Sequence, residues 1–328
     1  MFTHDESLIG LAPPPLPAAD WLNAEPLQFE QLAQHGWVVL VAFWSSTCPH
    51  SLQVLRALHQ WWDVYRAHGL MVIGVHTTTF PFETPLSFVK RAVDRHGIFW
   101  PVVHDHDGTL NAAYDNVYSP RLLLIDPKSS LIALDHLGDD DLAQVEAVIR
   151  QHLQARGHSS LPEPRAAEHR HRLGTMCYPA SPMTYLNRTT VRANHPTTGP
   201  GVFAHGSWEI DHAGTSYAET TNPGDAALDI VFTGTNVSLV AAPQSSGSVL
   251  ELSWDGNPLP VELHGADIRM EQGRSVLTLD EPRLYELICS RRHLHGNTLR
   301  LTPAGGAASL HALTFGGCPD PLSTRAIG

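Results

Sequence analysis

The segment Cys48-Pro49-His50-Ser51 holds the residue types in this chain best suited to covalent chemistry. A cysteine thiolate is the nucleophile, and its reactivity depends on what stabilises the negative charge. Pro49 suits the first position of a helix, because the N–H it lacks would have been unpaired there anyway. Cys48 would then sit at a helix start, where unpaired backbone N–H groups and the helix dipole favour a thiolate over a thiol. His50, when protonated, would add a positive charge beside the sulfur, and Ser51 could donate a hydrogen bond to it. The competing reading is an inert buried thiol, since free cysteine is among the most buried residue types.

The surrounding sequence supplies elements that would position such a site. Trp37 to Trp44 is a continuous apolar run of strand length, as expected for a strand buried on both faces of a parallel sheet. After the CPHS segment, Leu52, Leu55, Leu58, Trp62 and Tyr65 recur at helical spacing up to a stop near Gly69. Leu70 to Val75 predicts a second buried strand, and a helix from about Pro85 carries Leu86, Val89 and Val93 toward a stop at Gly97. Arg121 to Asp126 and Leu131 to Leu134 read as a hairpin. Asp139, Asp140 and Asp141 favour the start of a helix whose buried face is Leu142, Val145 and Ile149. The predicted first domain is α/β and covers residues 1–157, with a linker over 158–173. Beyond it, Leu228, Ile230 and Phe232, then Leu250, Leu252 and Trp254, then Leu299 and Leu301 alternate with polar residues. That period, with an Asp255-Gly256 turn, predicts an all-β sandwich over 174–328, jelly-roll-like in type.

A formal charge of −12 argues against nucleic acid or an anionic membrane as partner, because both are bound through Lys and Arg. The N-terminus has no basic segment followed by an apolar run, and no stretch is apolar enough to span a bilayer, so a cytoplasmic location is expected. Four cysteines without a close CxxC pair read as reduced thiols rather than as a disulfide framework or a zinc site. Cys177, Cys289 and Cys318 are most simply buried structural residues, with a resolving role toward Cys48 as the alternative. His104-Asp105-His106 could turn two imidazoles to one side, but a metal site needs further ligands, and none is expected.

Phe43-Trp44-Ser45-Ser46-Thr47-Cys48-Pro49-His50-Ser51 resembles the FWxxxCxxC segment of thioredoxins. With Val72-Ile73-Gly74-Val75-His76-Thr77 and Phe80-Pro81-Phe82-Glu83, the wider resemblance is to the DipZ/TlpA-like thioredoxin family. Members of that family continue into a β-sandwich resembling a carbohydrate-binding module. Ser181 to Leu186, Arg283 to Ile288 and Leu313 to Gly316 are similar to its recurring segments. The resemblance implies a thioredoxin-like fold in which Ser119-Pro120 is the cis-proline loop facing the motif cysteine. It makes Cys48, His50, Ser51 and Pro120 the catalytic set, and Trp44, Pro49 and Ser119 the lining of a substrate groove. Two positions depart from the family pattern: Ser51 stands where the second, resolving cysteine belongs, and Ala42 where many thioredoxins keep a buried acid.

Without a second motif thiol, the expected chemistry is single-thiol exchange. Cys48 attacks a protein disulfide or a mixed disulfide with a small thiol, and an external low-molecular-weight thiol such as glutathione releases it. No bound cofactor is called for. The alternatives are a redox sensor that stops at the sulfenic acid, and a binding protein that has lost catalysis. A peroxiredoxin is disfavoured, because its PxxxTxxC pattern needs Pro and Thr where Val41 and Ser45 stand. Tyr178, Tyr185, Trp208, Tyr217 and Trp254 could stack on sugar rings, but serve a sandwich core equally well.

Overall fold

A computed structural model describes residues 7–158, 160–164, 178–193, 196–218 and 224–317. The chain divides into two compact units, Met1–Arg172 and Leu173–Gly328. Cys177 and Cys318, and most of the segment read as a linker, lie outside the described residues.

The first unit is a six-stranded mixed sheet. Its strands are β1 (Trp21–Leu22), β2 (Val38–Trp44), β3 (Leu70–Thr77), β4 (Val102–Asp105), β5 (Arg121–Asp126) and β6 (Leu131–Leu137), in the order β1-β4-β3-β2-β5-β6. β2, β3 and β4 are parallel, and β5 runs antiparallel to β2. Helices α1 (Phe29–Gln34), α2 (Pro49–Tyr65), α3 (Leu86–Arg95), α4 (Thr109–Ala113) and α5 (Leu142–Gln154) cover both faces. The period of two along β2 sorts its side chains. Val38, Leu40, Ala42 and Trp44 pack with Val54, Leu58 and Trp61 of α2, Val89 of α3 and Ile149 of α5, while Val39, Val41 and Phe43 face Phe29, Leu32 and Leu110. Such two-sided burial makes β2 apolar throughout. Its C-terminal end leads through Ser45, Ser46 and Thr47 into Cys48 at the head of α2.

The second unit is all β, with β7 (Thr184–Tyr185), β8 (Val191–Ala193), β9 (Gly201–Gly206), β10 (Glu209–Ile210), β11 (Thr215–Tyr217), β12 (Ala226–Pro243), β13 (Ser248–Trp254), β14 (Asn257–Pro258), β15 (Ile268–Glu271), β16 (Arg274–Leu279), β17 (Arg283–Gly305) and β18 (Ala308–Gly316). These twelve strands form one hydrogen-bonded network, antiparallel except for the β8–β9 pair. The long β12 joins β9 and β17 through its first half and β18 and β17 through its second. Its core residues change phase on the way, from Leu228, Ile230 and Phe232 to Val237, Leu239 and Ala241. Register breaks around Gly234 account for the change, since a one-residue slip moves every side chain to the other face. Asp255 and Gly256 make the β13–β14 turn with φ of 48° and 83°, the left-handed values a two-residue hairpin needs. Among the described residues no helix is long and apolar enough to cross a membrane.

Candidate active site

Cys48 is the N-cap of α2, half-buried, with extended backbone (φ −105°, ψ 114°), and Pro49 is the first residue of the helix. The thiol donates to the carbonyl of Ser119 at 3.4 Å. That carbonyl belongs to the Ser119–Pro120 peptide, which is cis, and the buried Pro120 leads into β5. The Ser119 hydroxyl lies 3.2 Å from that of Thr77, at the end of β3. Arg121 anchors the start of β5 from inside. Its guanidinium donates through Nε and Nη2 to Asp135 of β6 at 2.8 and 2.7 Å, and through Nη1 to the carbonyls of Tyr114 and Asp115. Burial alone would raise the Asp135 carboxyl, but hydrogen bonds from Arg121 and the Leu8 N–H, with the guanidinium charge, hold it below the usual carboxylate range.

Behind the thiol, the Ser45–Thr47 loop is held by buried polar groups. The Thr47 hydroxyl donates to Oε1 of Glu83 at 2.7 Å and lies 2.9 Å from the Ser45 hydroxyl, which also accepts the Thr47 N–H. The N–H groups of Thr79 and Phe80 donate to Glu83 Oε2. Burial pushes the Glu83 carboxyl up, more than the bonds from Phe80, Thr47 and Thr79 lower it. Beside this chain, Nε2 of His76 accepts the Ser46 N–H and lies 3.1 Å from the Ser46 hydroxyl. Its proton therefore sits on Nδ1, which has no partner among the described residues. Burial first, and then the neighbouring His104 and His96, push His76 down to about 3, so it is neutral at ordinary pH.

The sequence-predicted residues divide between the site and the core. Cys48, Pro49, Ser119 and Pro120 come together around the sulfur. His50 is 57% exposed on the first turn of α2, with Nδ1 3.2 Å from Asp139. Asp139 thus faces His50, while Asp141 is the N-cap of α5 and makes no side-chain cap bond. Two expectations are corrected. Ser51 is fully buried, and its hydroxyl accepts the Ser45 N–H at 3.2 Å instead of donating to the sulfur. Trp44 does not line a groove: as the last inward residue of β2 it is buried against His76, ring centroids 4.9 Å apart. His104 bonds to the Thr84 carbonyl, Asp105 accepts the Leu110 and Asn111 N–H groups at the head of α4, and His106 lies 3.5 Å from Asp20. Among the described residues no group of three or more His, Cys, Asp or Glu side chains is arranged to hold a metal ion. Thr47, His76 and Glu83 were missed as site residues, although each lies inside one of the three segments of the first unit that carried the family resemblance.

This architecture is that of a thioredoxin-like protein extended by an all-β domain. Residues 15–133 match the AhpC/TSA family, and residues 191–316 match the Thioredoxin like C-terminal domain. It is 26% identical over 325 residues to Protein DipZ of Mycobacterium tuberculosis and of Mycobacterium bovis, across 94% of this chain and 43% of the relative. The chain thus spans less than half the length of these relatives. It is 25% identical over 111 residues to the thiol-disulfide oxidoreductase YkuV of Bacillus subtilis, across 34% of this chain and 73% of that protein. Among solved structures, a putative thiol:disulfide interchange protein DsbE from Chlorobium tepidum is similar at 22% identity and a TM-score of 0.38, covering 45% of this chain and 96% of that one.

Proposed function

We propose that the first unit is a single-thiol catalyst of thiol-disulfide exchange with Cys48 as nucleophile. The observation that carries the reading is the contact between Cys48 Sγ and the Ser119 carbonyl, which sets a half-exposed thiol at a helix start against the backbone of a loop. In the reaction, the Cys48 thiolate attacks a disulfide R–S–S–R′. A Cys48–S–S–R bond forms, the R–R′ disulfide breaks and R′S⁻ leaves to take a proton from solvent. An external thiolate then attacks the R sulfur, so that a new R–S–S–R″ disulfide forms and the Cys48 thiolate returns. No cofactor enters, and a low-molecular-weight thiol supplies the second step. Pro49, Ser119 and Pro120 border the approach to the sulfur, and the exposed Val117 and Tyr118 ahead of them offer apolar surface to a polypeptide substrate. His50, paired with Asp139, brings a titratable group to the helix start.

The test is turnover of a glutathionylated peptide in the presence of free glutathione. Cys48→Ser should abolish it while the circular dichroism of the folded chain is unchanged. Wild-type protein without Cys48-dependent turnover, but with a normal alkylation rate at Cys48, would support the second reading. In that reading the fold serves binding, and Ser51, committed to Ser45, marks the lost resolving step.

A further inference from the structure

We propose that Glu83 is the positioning residue for Cys48: through Thr47 it fixes the loop that carries the thiol, and its gain or loss of a proton reverses the hydrogen-bond chain holding that loop. The proposal rests on the reading of Cys48 as the reactive thiol. Glu83 is fully buried in the short turn Pro81–Glu83, and among the described residues no cation faces it. A buried carboxyl without a counter-charge is costly to keep, so what it touches matters. Oε2 accepts the N–H groups of Thr79 and Phe80, and a role confined to capping its own turn accounts for that oxygen. Oε1 is aimed elsewhere, at the hydroxyl of Thr47, the residue before Cys48.

Two hydrogen-bond directions follow. With Glu83 ionised, the single Thr47 hydroxyl proton goes to Oε1, so the Ser45 hydroxyl must donate to Thr47. A proton on Glu83 belongs on Oε1, because Oε2 already faces two N–H donors. The acid then donates to Thr47, Thr47 donates to Ser45, and the Ser45 hydroxyl proton drops out of the chain. Ser45 also holds Ser51, through its own N–H, at the first turn of α2. Ser45 is thereby bonded on both sides of Cys48, to Thr47 through its hydroxyl and to Ser51 through its N–H. Burial raises the Glu83 carboxyl, against the lowering effect of the bonds from Phe80, Thr47 and Thr79. The other titratable groups around the loop are His76, held by Ser46, His104, bonded to the Thr84 carbonyl, and His50 with Asp139.

The experiment reads the rate of Cys48 alkylation by iodoacetamide against pH in the full chain, with Cys177, Cys289 and Cys318 replaced by Ser. The expected profile has a step below the thiol's own inflection, a change of about two- to tenfold, the scale of one rearranged hydrogen bond. Glu83→Gln, whose amide would donate to Thr47 as the protonated acid does, should lack that step and show only the thiol's own inflection. Thr47→Val, which removes only the transmitting hydroxyl, should lack it as well and serves alone if the Gln variant does not fold. His50→Gln should retain it. Superimposable wild-type and Thr47→Val profiles, or loss of the step in His50→Gln, would overturn the proposal. Failure of exchange turnover with the step intact would instead overturn the exchange reading and leave the Glu83 linkage standing.

Discussion

Replacing Arg121 by Met would break the buried ion pair next to the Ser119–Pro120 loop. Both side chains are almost wholly buried, Arg121 6% and Asp135 5% exposed, and the pair is bidentate. Removing the guanidinium leaves Asp135 with the Leu8 N–H as its remaining described donor, and takes the Arg121 donor from the carbonyls of Tyr114 and Asp115. Stranding one member of a buried pair costs about 3–5 kcal/mol, which lowers the Tm of a unit this size by roughly 6–20 °C. Arg121→Met with Asp135→Leu should recover more than half of the loss, because no buried charge is then left alone. The pH dependence has a definite sign. The folded Asp135 carboxyl lies below its unfolded value, so its contribution is complete above about pH 4 and fades as pH falls through the folded value. That acid limb should be absent from the double variant. Urea unfolding followed at 222 nm isolates the first unit, since all five described α-helices lie in it. A loss below about 1 kcal/mol in Arg121→Met, or a double variant no more stable than the single one, would refute the argument.

Tyr65→Phe should cost about 1–2 kcal/mol in the same assay. The phenol donates to the buried Glu146 at 2.6 Å and accepts from Arg150 at 2.8 Å, and burial, followed by Glu146, pushes it up to about 12. In the second unit, Gly206→Ala should raise the amide exchange rates of β9 and β12 at least about tenfold, equivalent to roughly 1.4 kcal/mol. Gly206 has φ of 78°, and a Cβ there would lie 1.9 Å from the carbonyl oxygen of Asp225; unchanged exchange would show that β9 yields without strain.

Elements that bury a continuous or periodic apolar surface were legible, and those defined by tertiary contact were not. β2, β3 and the buried faces of α2, α3 and α5 each carry a pattern long enough to read, whereas β1, β4 and α4 have two, four and five residues and too few repeats to show a period. Trp44 shows how a motif misleads. The family resemblance implies a groove there, but the period of two along β2 points it into the core with Leu40 and Ala42. Asp139 was read for its charge near a helix start, and its relation to His50, 89 residues earlier, is a tertiary fact.

The position that departs most visibly from a dithiol motif is built into the fold. Ser51 is fully buried, and its hydroxyl takes the Ser45 N–H, while Ser45 and Thr47 share hydrogen bonds that end on Glu83. A sulfur at that place would be a weaker acceptor and a larger atom in a closed site, so it would loosen the loop that the serine helps to hold. On the proposed reading, the missing second thiol and the ordered loop belong together. The hydroxyl that cannot resolve a mixed disulfide is the group that fixes the segment carrying Cys48, and resolution is left to a thiol arriving from solution.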